Sequence, residues 1–224
     1  MRSALTTTQG TATQDITTAD VFGACRGIVV RLLATAEELN ALDALLGDGD
    51  LGSTLASVAR ALEAQTEPLS DDLGEALAGI ARVIAATSGS SFSGIMMTGL
   101  LRASRALRGR SSVAVAEIGP TLALALEAMS KIGGGALGEK SVLDGIAAAV
   151  EALRRAGDRA TLADVDHAVQ SAIDSFHDRP CRIGRARLAA ERSIGRDDPG
   201  MVALKRIIEG IQLGMSSVGS AERR

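Results

Sequence analysis

Apolar residues recur every three or four positions along most of this chain, the period of a helix with one buried face. Val21, Cys25, Val29, Leu32, Leu33, Ala36, Leu39 and Leu42 form the first stripe, which predicts one helix over residues 17–47. A second helix starts near Ser53 or Thr54, carries Leu55, Val58, Ala59 and Leu62, and ends before Pro68. Ser70 reads as the N-cap of a third, "SDDLGEALAGIARVIAAT", with acids in its first turn. "SGIMMTGLLRASRAL" and "VAEIGPTLALALEAMSKI" predict two more, the latter stopped by Gly133-Gly134-Gly135. Helices over 141–156 and 162–176 follow, the second behind a cap at Thr161. The last, "MVALKRIIEGIQLGM", is capped by Asp198 with Pro199 at its first position.

Eight helices joined by short glycine-rich loops, with no alternating strand and no internal repeat, predict an all-α fold, a bundle or helical barrel of antiparallel neighbours. Residues 1–16 are polar and Thr-rich and read as a flexible N-terminal tail; residues 17–220 read as a single domain.

Composition narrows this picture. Hydrophobic residues make up 46%, yet only Phe22, Phe92 and Phe176 are aromatic, so the core must be aliphatic, which suits closely packed helices. A net charge of −3 argues against a general nucleic-acid binder, and the lack of stacking rings argues against single-strand binding. Cys25 and Cys181 are far apart and match no zinc spacing, so they read as ordinary thiols of a reducing compartment. No secretory leader and no membrane-length apolar run is visible, and the expectation is a cytoplasmic protein with no membrane partner.

Chemistry concentrates in "LDALLGDGDLGST", residues 42–54. Its GDGDLG satisfies G-x-G-x-x-G, but a helix rather than a strand precedes it, and two aspartates inside the motif would repel a pyrophosphate. As a calcium loop counted from Asp48 it also fails, because position twelve is Ala59 and position six is Ser53. A lone Asp-Gly pair is commonly a solvated turn. Three acids are different: if Asp43, Asp48 and Asp50 converge, each pair costs roughly 3 kcal/mol at an effective dielectric near 20. The loop therefore either splays into water or holds cations. Hard oxygen ligands beside glycines point to Mg²⁺ bridging to phosphates, with Gly52, Ser53 and Thr54 offering N–H and hydroxyl donors at a helix start.

Three other stretches carry candidates. "GGGALGEKS" nearly spells a phosphate-binding P-loop, but Glu139 separates the last glycine from Lys140 and a helix precedes it, so it reads as a decoy linker. In "SSFSG", Ser93 stands at a helix start, where it would cap the helix or bind an anion. "GRARLAAERSIGRDDPG" holds Arg185, Arg187, Arg192 and Arg196, a phosphate-binding set or a solvated charged face. His167 and His177 have no partner motif and are given no role.

In their order, "LNALDALLGDGDLGSTLA", "FSGIMMTGLLRAS", "GGGALGEKSVLDGI" and "GRARLAAERSIGRDDPG" resemble the L subunit of the dihydroxyacetone kinases, the nucleotide-binding domain of that family. The resemblance implies an eight-helix antiparallel barrel with ADP or ATP and two Mg²⁺ ions held in the loops at one end. Asp43, Asp48 and Asp50 would coordinate the ions. Leu51, Gly52, Ser53 and Thr54 would line the phosphate and ribose end, and Phe92 and Ser93 would contact the nucleotide. Gly133, Gly134 and Val142 would lie against the base, with Arg185 and Asp198-Pro199-Gly200 as further contacts. Leu51 replaces a common histidine, Thr54 an asparagine and Val142 a frequent methionine; Ser90-Ser91-Phe92 replaces a Gly-Gly pair.

By the same likeness, a separate K subunit binds dihydroxyacetone or a related ketose and this chain presents the phosphate. ATP then either exchanges freely or leaves ADP bound, to be recharged by an M-type phosphocarrier. A non-catalytic nucleotide sensor docking on a transcription factor or partner enzyme is the alternative. A fatty-acid-kinase-like nucleotide domain is set aside because those are fused to further domains. A homodimer is compatible with the sequence.

Overall fold

The computed structural model describes residues 15–65 and 70–221, which form nine α-helices, two 3-10 turns and one two-residue strand pair. The helices are α1 (Thr18–Ala34), α2 (Ala36–Ala44), α3 (Leu51–Glu63), α4 (Leu73–Thr87), α5 (Ser91–Leu107), α6 (Val115–Gly133), α7 (Val142–Ala156), α8 (Leu162–Phe176) and α9 (Pro199–Ala221). Residues 1–14 of the expected tail lie outside the described residues. Ile16 and Thr17 already pair with Val113 and Ser112, a short bridge that no alternating pattern announces.

The first predicted helix is two. Thr35 leaves helical geometry (φ −112°, ψ 10°), and its hydroxyl donates to the Arg31 carbonyl at 2.9 Å. A buried Thr that bonds back onto its own helix offers the backbone an alternative partner, and here the chain breaks. The cap of α4 moves as well, from Ser70 to Asp72, whose carboxylate accepts the Glu75 N–H at 2.9 Å and the Gly109 N–H. Thr161 and Ser141 cap their helices in full capping boxes, and Asp198 accepts the Met201 N–H at 2.8 Å.

Helices α1, α3, α4, α5, α6, α7, α8 and α9 pack each on the next, and α9 returns to α1, closing a ring; α2 packs on α3 and α9. The contacts run antiparallel. Gly74 at the start of α4 faces Ser104 and Arg108 at the end of α5, and Gly119 early in α6 faces Leu153 late in α7. Between α8 and α9, Lys205 reaches Asp166 while Gln212 reaches Leu162. The main core runs along α7, α8 and α9, with Leu143, Val169, Met201 and Ala203 essentially inaccessible, and is aliphatic as the composition requires.

Candidate functional site

Antiparallel alternation has a direct consequence: α3, α5, α7 and α9 all begin at the same end of the ring. Their first residues, Leu51, Ser91, Val142 and Pro199, line one cleft of about 940 Å³. Each N-terminus carries roughly half a positive charge from its aligned peptides, so four of them favour an anion in the cleft.

The acidic loop sits on its rim. Asp43, in the last turn of α2, turns one carboxylate oxygen back to accept the N–H groups of Gly49 (2.9 Å), Asp50 (3.0 Å) and Leu51 (3.4 Å). Those amides offset the cost of a carboxylate at the negative end of a helix. Gly49 takes φ +77° to present them, a conformation glycine adopts without penalty. One oxygen from each of Asp43, Asp48 and Asp50 lies within 4.8 Å of the others. At that spacing each pair repels by about 3 kcal/mol at an effective dielectric near 20. The donors are all hard oxygens, with no thiol or imidazole among them, a set suited to Mg²⁺.

Beyond the triad, Leu51, Ser53 and Thr54 line the cleft, as do Phe92, Gly133 and Val142 and the Asp198-Pro199-Gly200 turn. Other expected residues serve elsewhere. Gly52 lets α3 approach α2: a Cβ there would lie 1.8 Å from the Ala36 carbonyl. The Ser53 amide is taken by Asn40 Oδ1 at 2.9 Å and that of Thr54 by the Asp50 carbonyl at 2.9 Å, so neither is the spare donor the sequence suggested. Ser93 is 2% exposed and does not cap α5; Ser90 does, accepting the Ser93 N–H at 3.1 Å. Gly134 ends α6 in the left-handed conformation (φ +61°), off the cleft wall. Arg185 opens a 3-10 turn, Arg185–Ser193, and its side chain lies outside what is described. Arg187, Arg192 and Arg196 do not line the cleft, and Arg192 instead donates to the Leu45 carbonyl at 2.8 Å.

Lys140, which lines the cleft, is only 1% exposed, and its ammonium donates to the carbonyls of His177 (2.9 Å), Arg179 (2.9 Å) and Ser193 (2.7 Å). Burial lowers its pKa, with the nearby Asp198 carboxylate opposing that shift. His177, given no role from the sequence, also places Nδ1 2.8 Å from Asp197. No sequence signal could find these partners, which lie 37 to 53 residues from Lys140. Asp198, half-buried in the cleft, has its carboxyl pushed up to about 7, chiefly by burial. Its bonds from the Met201 and Gly200 amides and the charge of Lys140 act against that rise.

Fold and site together define a helical domain that gathers three convergent carboxylates and four helix N-termini at one end. The chain belongs to the DAK2 domain family, whose model matches residues 45–213. It is 35% identical over 181 residues to the D-erythrulose kinase of Mycolicibacterium smegmatis, covering 75% of this chain but only 30% of that protein. The ADP-binding subunit DhaL of the PEP-dependent dihydroxyacetone kinase of Escherichia coli is 24% identical over 184 residues, which cover 80% of this chain and 88% of that one. The chain thus spans about a third of the length of the longer kinases and most of the separate subunit. In fold it is similar to the crystal structure of the dihydroxyacetone kinase from C. freundii in complex with AMP-PNP and Mg²⁺, with TM-score 0.66 and 23% identity over 97% of this chain and 37% of that one.

Proposed function

We propose that this chain is the nucleotide-binding subunit of a ketose kinase. It holds an adenine nucleotide with Mg²⁺ in the cleft and presents the terminal phosphate to a hydroxyl of dihydroxyacetone, or a related short-chain ketose, on a separate K subunit. One observation carries this reading: three convergent carboxylates share a cleft with four helix N-termini. Carboxylates and phosphates repel, and cations between them make the two halves of the site compatible.

Asp43, Asp48 and Asp50 hold two Mg²⁺ ions in this reading, since two divalent cations balance a triad plus a polyphosphate more nearly than one. Mg²⁺ neutralises phosphate charge and fixes its orientation. The protein's own part is positioning. Amides folded around Asp43 fix the loop, the helix N-termini favour the phosphate charge, and Phe92, Gly133 and Val142 offer an apolar wall to the base. Nothing in this requires a covalent step on the chain, which fits catalysis by placement. Whether ATP exchanges or bound ADP is recharged by a phosphocarrier is a matter of release rate.

Calorimetric titration tests the site. ADP binds in the presence of Mg²⁺ and not with chelator, and Asp48→Asn weakens binding at least about tenfold, the usual cost of disturbing a metal's immediate surroundings. Mg²⁺-independent binding, or a variant that binds like the parent, refutes the assignment. Turnover of ATP with a K subunit and dihydroxyacetone then separates a kinase subunit from a nucleotide sensor.

A further inference from the structure

Lys140 heads the fully buried side chains of the described residues, and it belongs to the cleft wall rather than to the apolar core. An ammonium has three protons to donate, and here each ends on a backbone carbonyl. All three carbonyls belong to the connection between α8 and α9, which contains no α-helix and supplies Ile183, Gly184 and Ala186 to the cleft. On its other side Lys140 is joined to Ser141, the cap of α7 on the cleft wall.

Two costs coincide at this residue. A buried ammonium is expensive, and Lys140 is the non-glycine residue among those described that takes positive φ, at +63°. Strain and buried charge at one position beside a cleft point to a functional constraint. A second clasp holds the same connection: the Ser193 hydroxyl accepts the Cys181 N–H at 2.7 Å and is itself inaccessible.

We infer that Lys140 is a positioning residue whose ammonium, through the carbonyls of His177, Arg179 and Ser193, holds the 177–193 segment as a fixed rim of the cleft and so slows nucleotide release. The inference rests on the reading of the cleft as a nucleotide site. Removing the ammonium takes a donor from all three carbonyls, leaving those of His177 and Ser193 with one backbone N–H each, from Gly195 and Arg196, and the rim loosens while the aspartate triad stays intact.

Hydrogen exchange on the ligand-free protein, with stopped-flow displacement of N-methylanthraniloyl-ADP in Mg²⁺, tests it on Lys140→Met, Lys140→Arg and Ser193→Ala. Met fills nearly the same volume, so a purely space-filling role predicts no change. The expected result is faster exchange confined to 177–193 and ADP release about tenfold faster in Lys140→Met, as for a misplaced binding wall. Lys140→Arg, which keeps charge and donors, recovers most of the slow release. Unchanged exchange in that segment, or unchanged release from a loosened rim, overturns the inference. Should Lys140→Met not fold, Lys140→Gln, which removes the charge and offers two donors in place of three, decides by the same two readings, with Ser193→Ala as the comparison for the second clasp. A parent protein that binds no Mg²⁺-ADP refutes the nucleotide reading, and the release half of this inference with it; the exchange result still judges the rim.

Discussion

Asp198 performs two tasks that pull its proton in opposite directions. As the cap of α9 it accepts the Met201 N–H, which favours the carboxylate; as a half-buried cleft residue it is desolvated, which favours the acid and wins, at about 7. In the unfolded chain the carboxyl ionises at its ordinary 3.8, so between that value and about 7 the native state keeps a proton the unfolded state has lost. The corresponding stability is fully present below the lower value and disappears as pH rises through the upper one. Urea unfolding of the ligand-free protein across this range is expected to show that decline, and Asp198→Asn, which still caps a helix, to flatten it. Equal slopes in parent and variant would remove Asp198 as the source. The aspartate triad was legible from sequence because its members lie within eight residues of one another. Lys140 was legible only as a failed P-loop, because its function is written in carbonyls that any sequence would supply.

At the scale of elements, α1 joins α9 through facing glycines. A Cβ on Gly27 would lie 2.0 Å from the Gly210 carbonyl, and one on Gly214 1.9 Å from that of Gly23. Gly27→Ala is expected to destabilise by about 1–3 kcal/mol through overpacking, although alanine gains about 1 kcal/mol in helix propensity. Gly79→Ala in α4, whose Cβ would meet only the far end of Arg82 at 3.8 Å, is expected to stabilise by up to about 1 kcal/mol. Thermal unfolding of the pair checks both signs. Seven of the nine helices followed from periodicity, and the caps at Thr161 and Asp198 from cap chemistry, since these are local rules. The break at Thr35 did not, because Ala36, Leu39 and Leu42 keep the apolar spacing across it while a single hydroxyl redirects the backbone. Nor did the cap at Asp72 rather than Ser70, where a local bond from the Glu75 N–H is joined by one from Gly109, far along the chain.

For the molecule as a whole, the site is a property of the ring rather than of any motif. Four helices begin at one end only because the ring alternates, and the triad meets them there at the expense of mutual repulsion. Stability and binding are therefore opposed at this end. Asp50→Asn, at a cap position without a side-chain cap bond, is expected to raise the melting temperature of the ligand-free protein at low salt. It is also expected to abolish the rise that Mg²⁺-ADP gives the parent. Salt should shrink the first effect, since the residue is exposed. A variant no more stable than its parent at low salt would mean that the triad is not strained without cations.

Closing the ring also has a bearing on how the chain folds. Most of its seams join helices that follow one another in sequence, whereas α1 meets α9 across 178 residues, as in the bond from Arg31 to Glu209. Loop-closure entropy thus weighs most on this glycine-lined seam. During synthesis α1 is made before α9 and must wait for it before its glycine face has a partner. Until α9 is available the ring is an open arc of helices, unsealed along the glycine face of α1.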